Sequence, residues 1–225
     1  RDPNSLVKPS TSQTEVDTGE SVKEKSTVKS TATRHLFLIR HGQYNISAEL
    51  DEDRKLTELG KTQADKAGNR LRELGYPYDA IIISTMQRAQ ETGALIKSYL
   101  PQVPCKNCDM IREGAPIPPE PPVGHWKPEV KQFYEEGSRI EAAFRKYFHR
   151  AEPEQIKDSF EILVCHANVI RYFVCRALQF PPEAWLRISL YNGSITWVSI
   201  RPSGRVSLRF LGDSGHLKPD ELTTN

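Results

Sequence analysis

The sequence predicts a three-layer α/β/α sandwich, with a mostly parallel sheet that ends in an antiparallel edge. Three observations predict it. Apolar runs alternate with segments of helical periodicity, the pattern of parallel strands joined by helical crossovers. Three of these runs, Leu36–Ile39, Ile81–Ile83 and Ile162–Val164, are apolar at every position, as strands covered on both faces are. Near the C-terminus, Ser194–Ile200 and Arg205–Leu211 flank the turn Pro202-Ser203-Gly204 and read as a hairpin that closes one edge.

Residues 1–33 are rich in Ser, Thr, Lys and Glu and contain no aromatic residue. Such a stretch buries too little apolar area to offset its ordering entropy and is expected to be a flexible arm. The catalytic domain is expected over residues 34–215 and a short tail over 216–225. The first strand is His35–Arg40, followed by an acidic loop, Glu49–Lys55, whose Glu49, Asp51, Glu52 and Asp53 read as a solvated run. Thr57 is an N-cap type residue; Leu59, Gln63, Ala64, Ala67, Leu71 and Leu74 recur at helical spacing and Gly75 closes the helix. A second strand, Ala80–Ser84, precedes a helix through Arg88, Thr92, Leu95 and Ile96 that stops before Pro101.

Gly114–Pro128 is dense in proline, which fixes φ and removes a donor, so an extended, stiffened loop is expected. An amphipathic helix is expected over Val130–Tyr147, a third buried strand over Phe160–Cys165 and a helix over Asn168–Leu178. The chain shows no internal repeats.

The 225 residues suffice for one α/β domain with extra segments. Charged residues make up 27% and nearly balance, at net +2, unlike the clustered basic surface of a nucleic-acid binder. No apolar run approaches the roughly 18–20 residues of a membrane span. The chain opens on Arg1 and reads as a fragment, so an upstream anchor remains open. The cysteines Cys105, Cys108, Cys165 and Cys175 are too sparse for a disulfide scaffold and fit a reducing compartment. Cys105-Lys106-Asn107-Cys108 has metal-ligand spacing but no companion pair; two loop cysteines are the expectation, with no metal and no cofactor.

The most informative residues close the strands. Arg40-His41-Gly42 follows the first, His166 the third, and Arg88 opens the helix after the second. Open α/β sheets bind ligands at the carboxyl ends of their strands. Two arginines and two histidines meeting there would surround one dianion, and phosphate is the obvious candidate. A phosphate monoester repels nucleophiles, so its cleavage calls for fixed positive charge on the equatorial oxygens and an in-line attacker. Arg40 and Arg88 would supply the charge as planar forks. His41 would attack, forming a phosphohistidine. His166 would donate a hydrogen bond, Gly42 would let the backbone approach the ligand, and Glu113 would protonate the leaving oxygen and later activate water. Each residue also has an ordinary alternative: Arg88 a surface ion pair, His166 a core histidine, Glu113 a solvated carboxylate. The weight lies in their co-occurrence.

These residues resemble the histidine phosphatase superfamily, the phosphoglycerate mutase-like fold. Leu38-Ile39-Arg40-His41-Gly42-Gln43, Leu56-Thr57-Glu58-Leu59-Gly60-Lys61-Thr62-Gln63-Ala64, Ser84-Thr85-Met86-Gln87-Arg88-Ala89-Gln90-Glu91-Thr92 and Asn192-Gly193-Ser194-Ile195-Thr196 match its motifs in register, over about residues 34–212. The resemblance implies a histidine nucleophile, an arginine pair, a second histidine and an acidic proton donor, which fall on His41, Arg40, Arg88, His166 and Glu113. One departure is informative: where many members carry Ser-His-Gly-Gly, this chain has Cys165-His166-Ala167-Asn168. Together with Arg112–Ile117, His125-Trp126-Lys127-Pro128 and Arg176–Glu183, this is similar to a mitochondrial branch acting on protein phosphoserine and phosphothreonine.

That branch implies a metal-independent phosphatase acting on phosphoproteins, tethered to a mitochondrial membrane (the outer one expected) by an N-terminal span. It also implies a homodimer and higher oligomers; of the upstream multimerisation region only Arg1-Asp2-Pro3-Asn4 is present here. Phe180, Trp185 and Leu186 are candidates for the dimer face or, equally, an amphipathic core segment. Asp17-Thr18-Gly19-Glu20 resembles the acidic turns captured by Kelch-propeller adaptors. Two rival functions remain at this level. One is a phosphoglycerate-type mutase or small-molecule phosphatase; the mutase would need further cations, of which the proline loop offers only Lys127. A scaffold with a vestigial pocket is disfavoured by the complete residue set.

Overall fold

The computed structural model describes residues 30–124 and 128–224. His125, Trp126 and Lys127, the Asp17–Glu20 turn and Arg1–Asn4 lie outside the described residues.

Six strands form one sheet: β1 (Arg34–Arg40), β2 (Ala80–Ser84), β3 (Cys105–Cys108), β4 (Ser159–Cys165), β5 (Ile195–Ile200) and β6 (Val206–Asp213), in the order β3-β2-β4-β1-β5-β6. β1 pairs parallel with β4, and β2 parallel with both β4 and β3. β5 pairs antiparallel with β1, and β6 with β5, so the hairpin supplies the antiparallel edge. Four helices connect them: α1 (Glu58–Leu74), α2 (Gln87–Tyr99), α3 (Val130–Tyr147) and α4 (Ala167–Leu178).

Strand alternation makes the three layers. In β1, Leu36 and Leu38 point to one face with Ile82 and Leu163, against Ile140 and Ala143 of α3 and Val169, Ile170 and Phe173 of α4. Phe37 and Ile39 point to the other with Ile81, Ile83, Ile162 and Val164, against Ala67 and Leu71 of α1 and Ala89 and Ile96 of α2. Both faces of the central strands are therefore dry, which is why they read as continuous apolar runs. We expect Leu163→Ala, at a fully buried site in β4, to cost about 2–5 kcal/mol. Urea unfolding would measure it, and a loss under about 1 kcal/mol would contradict this packing.

Local signals set the helix ends. Thr57 caps α1 by accepting the Gly60 N–H, and Gly75 ends it in the left-handed region at φ 67°. α3 spans the expected residues, and β4 and α4 each begin one residue earlier than expected. β3 is an addition: the sequence shows no strand at Cys105–Cys108, because an edge strand exposed at three of its four residues has no apolar alternation to reveal it. Pairing with β2 creates it. Offset by three in a strand, Cys105 and Cys108 point to opposite faces; Cys105 is exposed and Cys108 is buried beneath the Tyr147 hydroxyl, at 3.2 Å. The metal-like spacing thus gives no shared ligand site.

Trp185 is fully buried and donates from Nε1 to Ile117 O at 2.9 Å. Of the proposed surface trio it belongs to the core of this chain, Leu186 is half-buried and Phe180 is exposed. Ala32, placed in the flexible arm by composition, is buried and Thr33 N donates to Asp158 Oδ1, so the packed domain begins before Arg34, because tertiary contacts order residues that composition alone does not; the segment to Thr224 returns to the end of β1. Among the described residues, no helix is long and apolar enough to cross a membrane.

Candidate active site

β1, β4 and β2 lie side by side and run parallel, so their carboxyl ends meet at one edge of the sheet. The register sets Arg40 opposite Cys165, and the next residues on each strand are His41 and His166. His41 N donates to Cys165 O at 3.1 Å, tying the two strand ends together. The imidazole centroids are 5.1 Å apart. Two sequence motifs separated by more than a hundred residues thus become neighbours through one strand pairing.

His41 is fixed in a single orientation. Its Nδ1 donates to Gly42 O at 2.8 Å, which leaves Nε2 as the lone-pair nitrogen. Arg88 Nε donates to that Nε2 at 3.2 Å. Gly42 is obligatory for a packing reason: a Cβ there would run into the carbonyl oxygen of Gly60 at the start of α1. Its N–H donates to Thr92 Oγ1 at 3.1 Å, tying the motif to α2.

Arg88 sits in the first turn of α2 and is 3% exposed, which excludes the surface ion pair. Its guanidinium lies over the Tyr44 ring at 4.6 Å and its Nη1 approaches Asp51 Oδ1 at 3.4 Å. Asp51 also accepts from Gln87 N and neighbours Arg112. It therefore leaves the solvated run to become the counter-ion of a buried arginine, while Glu49, Glu52 and Asp53 stay exposed. Neither Asp51 nor Tyr44 was identifiable from motif spacing; only an acidic loop folding over the strand ends reveals them.

Arg40 is buried, and its Nη atoms donate backwards, to Leu190 O at 2.5 Å and Thr224 O at 2.9 Å, while its Nε has no protein partner. Burial pushes its pKa down to about 10, with Glu113 partly opposing. His166 bonds through Nε2 to Ser84 Oγ at 2.8 Å, and its buried Nδ1 also lacks a protein partner. Buried polar atoms are normally paired, and two unpaired ones beside a histidine pair fit a site built for an anion. Glu113 follows a short turn, Asp109–Ile111. Its Oε1 accepts from Gly114 N at 3.1 Å, and Asn168 N at the start of α4 approaches Oε2 at 3.5 Å. Arg88, Glu113 and Asn168 line a cavity of about 500 Å³, along with Arg54, Met86 and Glu136. Of the six sequence-predicted site residues, Arg88 and Glu113 line this cavity, His41 contacts both Arg88 and His166, Gly42 follows His41, and Arg40 lies within electrostatic reach of Glu113 and Arg88.

The electrostatics suit a nucleophile and an acid in one site. Burial, then Arg88 and Arg40, drives the His41 pKa well below 6.5, so the ring is neutral. His166 is lowered likewise by burial, then His41 and Arg88. Burial raises Glu113, against the pull of the Gly114 N–H and Arg88. A neutral imidazole can attack phosphorus, and a carboxyl with a raised pKa keeps its proton to higher pH and can donate it. The lowered histidines also have a cost at acid pH. Below about 6.5 the unfolded chain takes up protons that the folded chain refuses, so stability falls as pH falls, by up to about 1.4 kcal/mol per pH unit per histidine. Urea midpoints at about pH 7.5 and about pH 5.5 should show the decline, less steeply in His166→Gln; a flat response in the parent chain would contradict the buried neutral pair.

The family comparison matches this geometry. The family model of the Histidine phosphatase superfamily (branch 1) matches residues 36–115 and 119–212. The chain is 55% identical over 223 residues to the serine/threonine-protein phosphatase PGAM5, mitochondrial, of Rattus norvegicus, covering 99% of this chain and 77% of that protein. It is 56% identical to the Xenopus laevis protein of the same name, over 99% of this chain and 81% of that one. Among solved structures, a Plasmodium falciparum phosphoglycerate mutase superposes with TM-score 0.58 at 32% identity, over 80% of this chain and 91% of that one. Bacillus stearothermophilus YhfR shares the fold, with TM-score 0.62 at 20% identity, over 81% and 98%. A strand-end histidine pair flanked by buried arginines, matched across most of the chain by the family model and by relatives of this similarity, makes the chain a member of the histidine phosphatase superfamily.

Proposed function

We propose that this chain hydrolyses phosphoserine and phosphothreonine in proteins through a phosphohistidine at His41. One observation carries the chemistry: the Nδ1 bond to Gly42 O leaves His41 Nε2 as the only lone-pair nitrogen of that ring, 3.2 Å from a buried guanidinium nitrogen. A phosphoryl group there meets its attacker and its counter-charge together. Arg88 and Arg40 balance the equatorial oxygens, with His166 Nδ1 offering a further hydrogen bond. Glu113 protonates the departing seryl or threonyl oxygen. In the second step its carboxylate takes a proton from the attacking water and the P–N bond breaks, releasing phosphate and free His41. Protein phosphoserine and phosphothreonine as substrates follow from the relatives' names, serine/threonine-protein phosphatase.

The test is phosphate release from phosphoserine and phosphothreonine peptides by purified protein, run beside phosphoglycerate isomerisation. Peptide turnover without isomerisation supports the proposal, and isomerisation without peptide turnover replaces it with a mutase. Because arginines supply the positive charge, EDTA is expected to leave the rate within about twofold; loss of activity on chelation would point to a metal-dependent site.

The relatives are named mitochondrial, and we place this protein there too, tethered at the outer membrane; fractionation with protease protection of intact organelles tests the placement. A homodimer using exposed Phe180 belongs to the same proposal and predicts that Phe180→Asp shifts the sedimentation coefficient towards monomer. Higher oligomers belong to the same proposal. Capture of Asp17-Thr18-Gly19-Glu20 by a Kelch-type adaptor should vanish with Glu20→Ala in a pulldown, and no binding by the intact arm would end that idea.

A further inference from the structure

We propose that Arg139 of α3 is the positioning residue for the proton donor: it clamps the backbone that carries Glu113 and so sets the reach of that carboxyl to the leaving oxygen. This rests on the role given to Glu113 above.

The clamp is made of several contacts on one short segment. Arg139 Nη1 lies 2.7 Å from Arg112 O, 2.9 Å from Met110 O and 3.4 Å from Asp109 O, and Nη2 donates to Glu113 O at 3.0 Å. One guanidinium therefore gathers carbonyls at the end of the Asp109–Ile111 turn together with that of Glu113 itself. Glu136, on the same face of α3, accepts the Ala115 N–H at 2.5 Å. The approach is so close that both sides use glycine. A Cβ on Gly114 would sit 2.8 Å from Arg139 Nη2 and 2.9 Å from Glu136 Oε2, and one on Gly137 would strike Pro116 O. From the other side, Asn168 Nδ2 donates to Gly114 O at 3.2 Å.

Residues 112–116 belong to no helix or strand, so sheet pairing does not hold Glu113 as it holds His41 and His166. The clamp takes over that task. An arginine suits it because its donors form a rigid fork spanning several acceptors, whereas the single ammonium of lysine cannot reach them together. Arg139 does not itself line the cavity but holds the backbone of Glu113, which does, so its positioning effect passes through Glu113.

Only the step that needs a proton depends on where the carboxyl sits. An alkyl phosphate such as a phosphoserine peptide needs it; p-nitrophenyl phosphate, whose phenolate leaves unaided, does not in its first step. For full-length Arg139→Gln and Arg139→Lys, peptide kcat is expected to fall on the order of 30–100-fold. The rapid burst of p-nitrophenolate that reports phosphorylation of His41 should stay within about threefold of the parent chain. The alkaline limb of the peptide profile should shift, because the Glu113 surroundings change. A burst slowed as much as peptide turnover, no loss on the peptide, or full rescue by lysine would overturn the clamp. Should the Arg139 variants not fold, Glu136→Ala removes the neighbouring grip on Ala115, and the same selective loss, smaller in size, is required of it. If the parent chain itself gives no burst and no phosphoenzyme, the catalytic reading falls and takes this proposal with it.

Discussion

His41→Ala is expected to lower phosphopeptide turnover about ten-thousand-fold or more, the usual scale for removing a covalent nucleophile. The reason is geometric as well as chemical. Arg88, Arg40 and His166 would still bind the phosphoryl group, but the nitrogen that attacks it would be gone. Water would have to attack a dianion unaided, because the Glu113 carboxyl is held towards the protonated form and is engaged with the Gly114 N–H. The parent chain, quenched during turnover of labelled phosphopeptide, should carry acid-labile, alkali-stable label, as a phosphohistidine does; His41→Ala should carry none. The substitution leaves the strand pairing and the Cys165 O contact intact, since that contact is made by the His41 backbone. A folded His41→Ala protein that retains a tenth of the parent rate would remove the covalent mechanism.

Glu113→Gln is expected to be the second largest effect, about 100–10,000-fold on phosphoserine peptides. Glutamine keeps the shape and the Gly114 N–H contact but can neither give nor take the proton. With p-nitrophenyl phosphate the first step should survive, so the variant should show a burst of product followed by slow phosphoenzyme hydrolysis. The pH dependence has a definite sign. Burial raises the Glu113 pKa, so the protonated acid persists above the ordinary carboxylate range, and phosphorylation of His41 by alkyl substrates slows as pH rises through that elevated value. Glu113→Gln should lose this alkaline fall. An unchanged alkaline limb, or a full rate on peptides, would assign the proton donor elsewhere.

How far the sequence reached differs element by element. β1, β2 and β4 were legible because both faces are buried, which forces an unbroken apolar run. α1 was legible because Thr57 and Gly75 mark its ends. β3 was not: its four residues gain strand geometry from β2 alone, and nothing in Cys-Lys-Asn-Cys encodes that pairing. Trp185 looked the same in sequence whether it faced a second subunit or its own core, and a single hydrogen bond to Ile117 O settles it inside. His41, His166, Arg40 and Arg88 were legible because strand ends are where this topology collects ligands. Tyr44, Asp51, Asn168 and Arg139 were not, since each acts through a partner distant in the chain.

By itself, then, the sequence determined the chemistry on offer and the strands that carry it: which groups can attack, balance charge and give a proton, and that they stand at the ends of buried strands. Only the tertiary structure decided the protonation states and the aim. Neutral imidazoles and a carboxyl with a raised pKa come from desolvation, which needs a closed core around them. The aim comes from contacts such as Arg88 on His41 and Arg139 on the Glu113 backbone. Local composition records neither, because burial and long-range contact are properties of the folded packing rather than of neighbours along the chain.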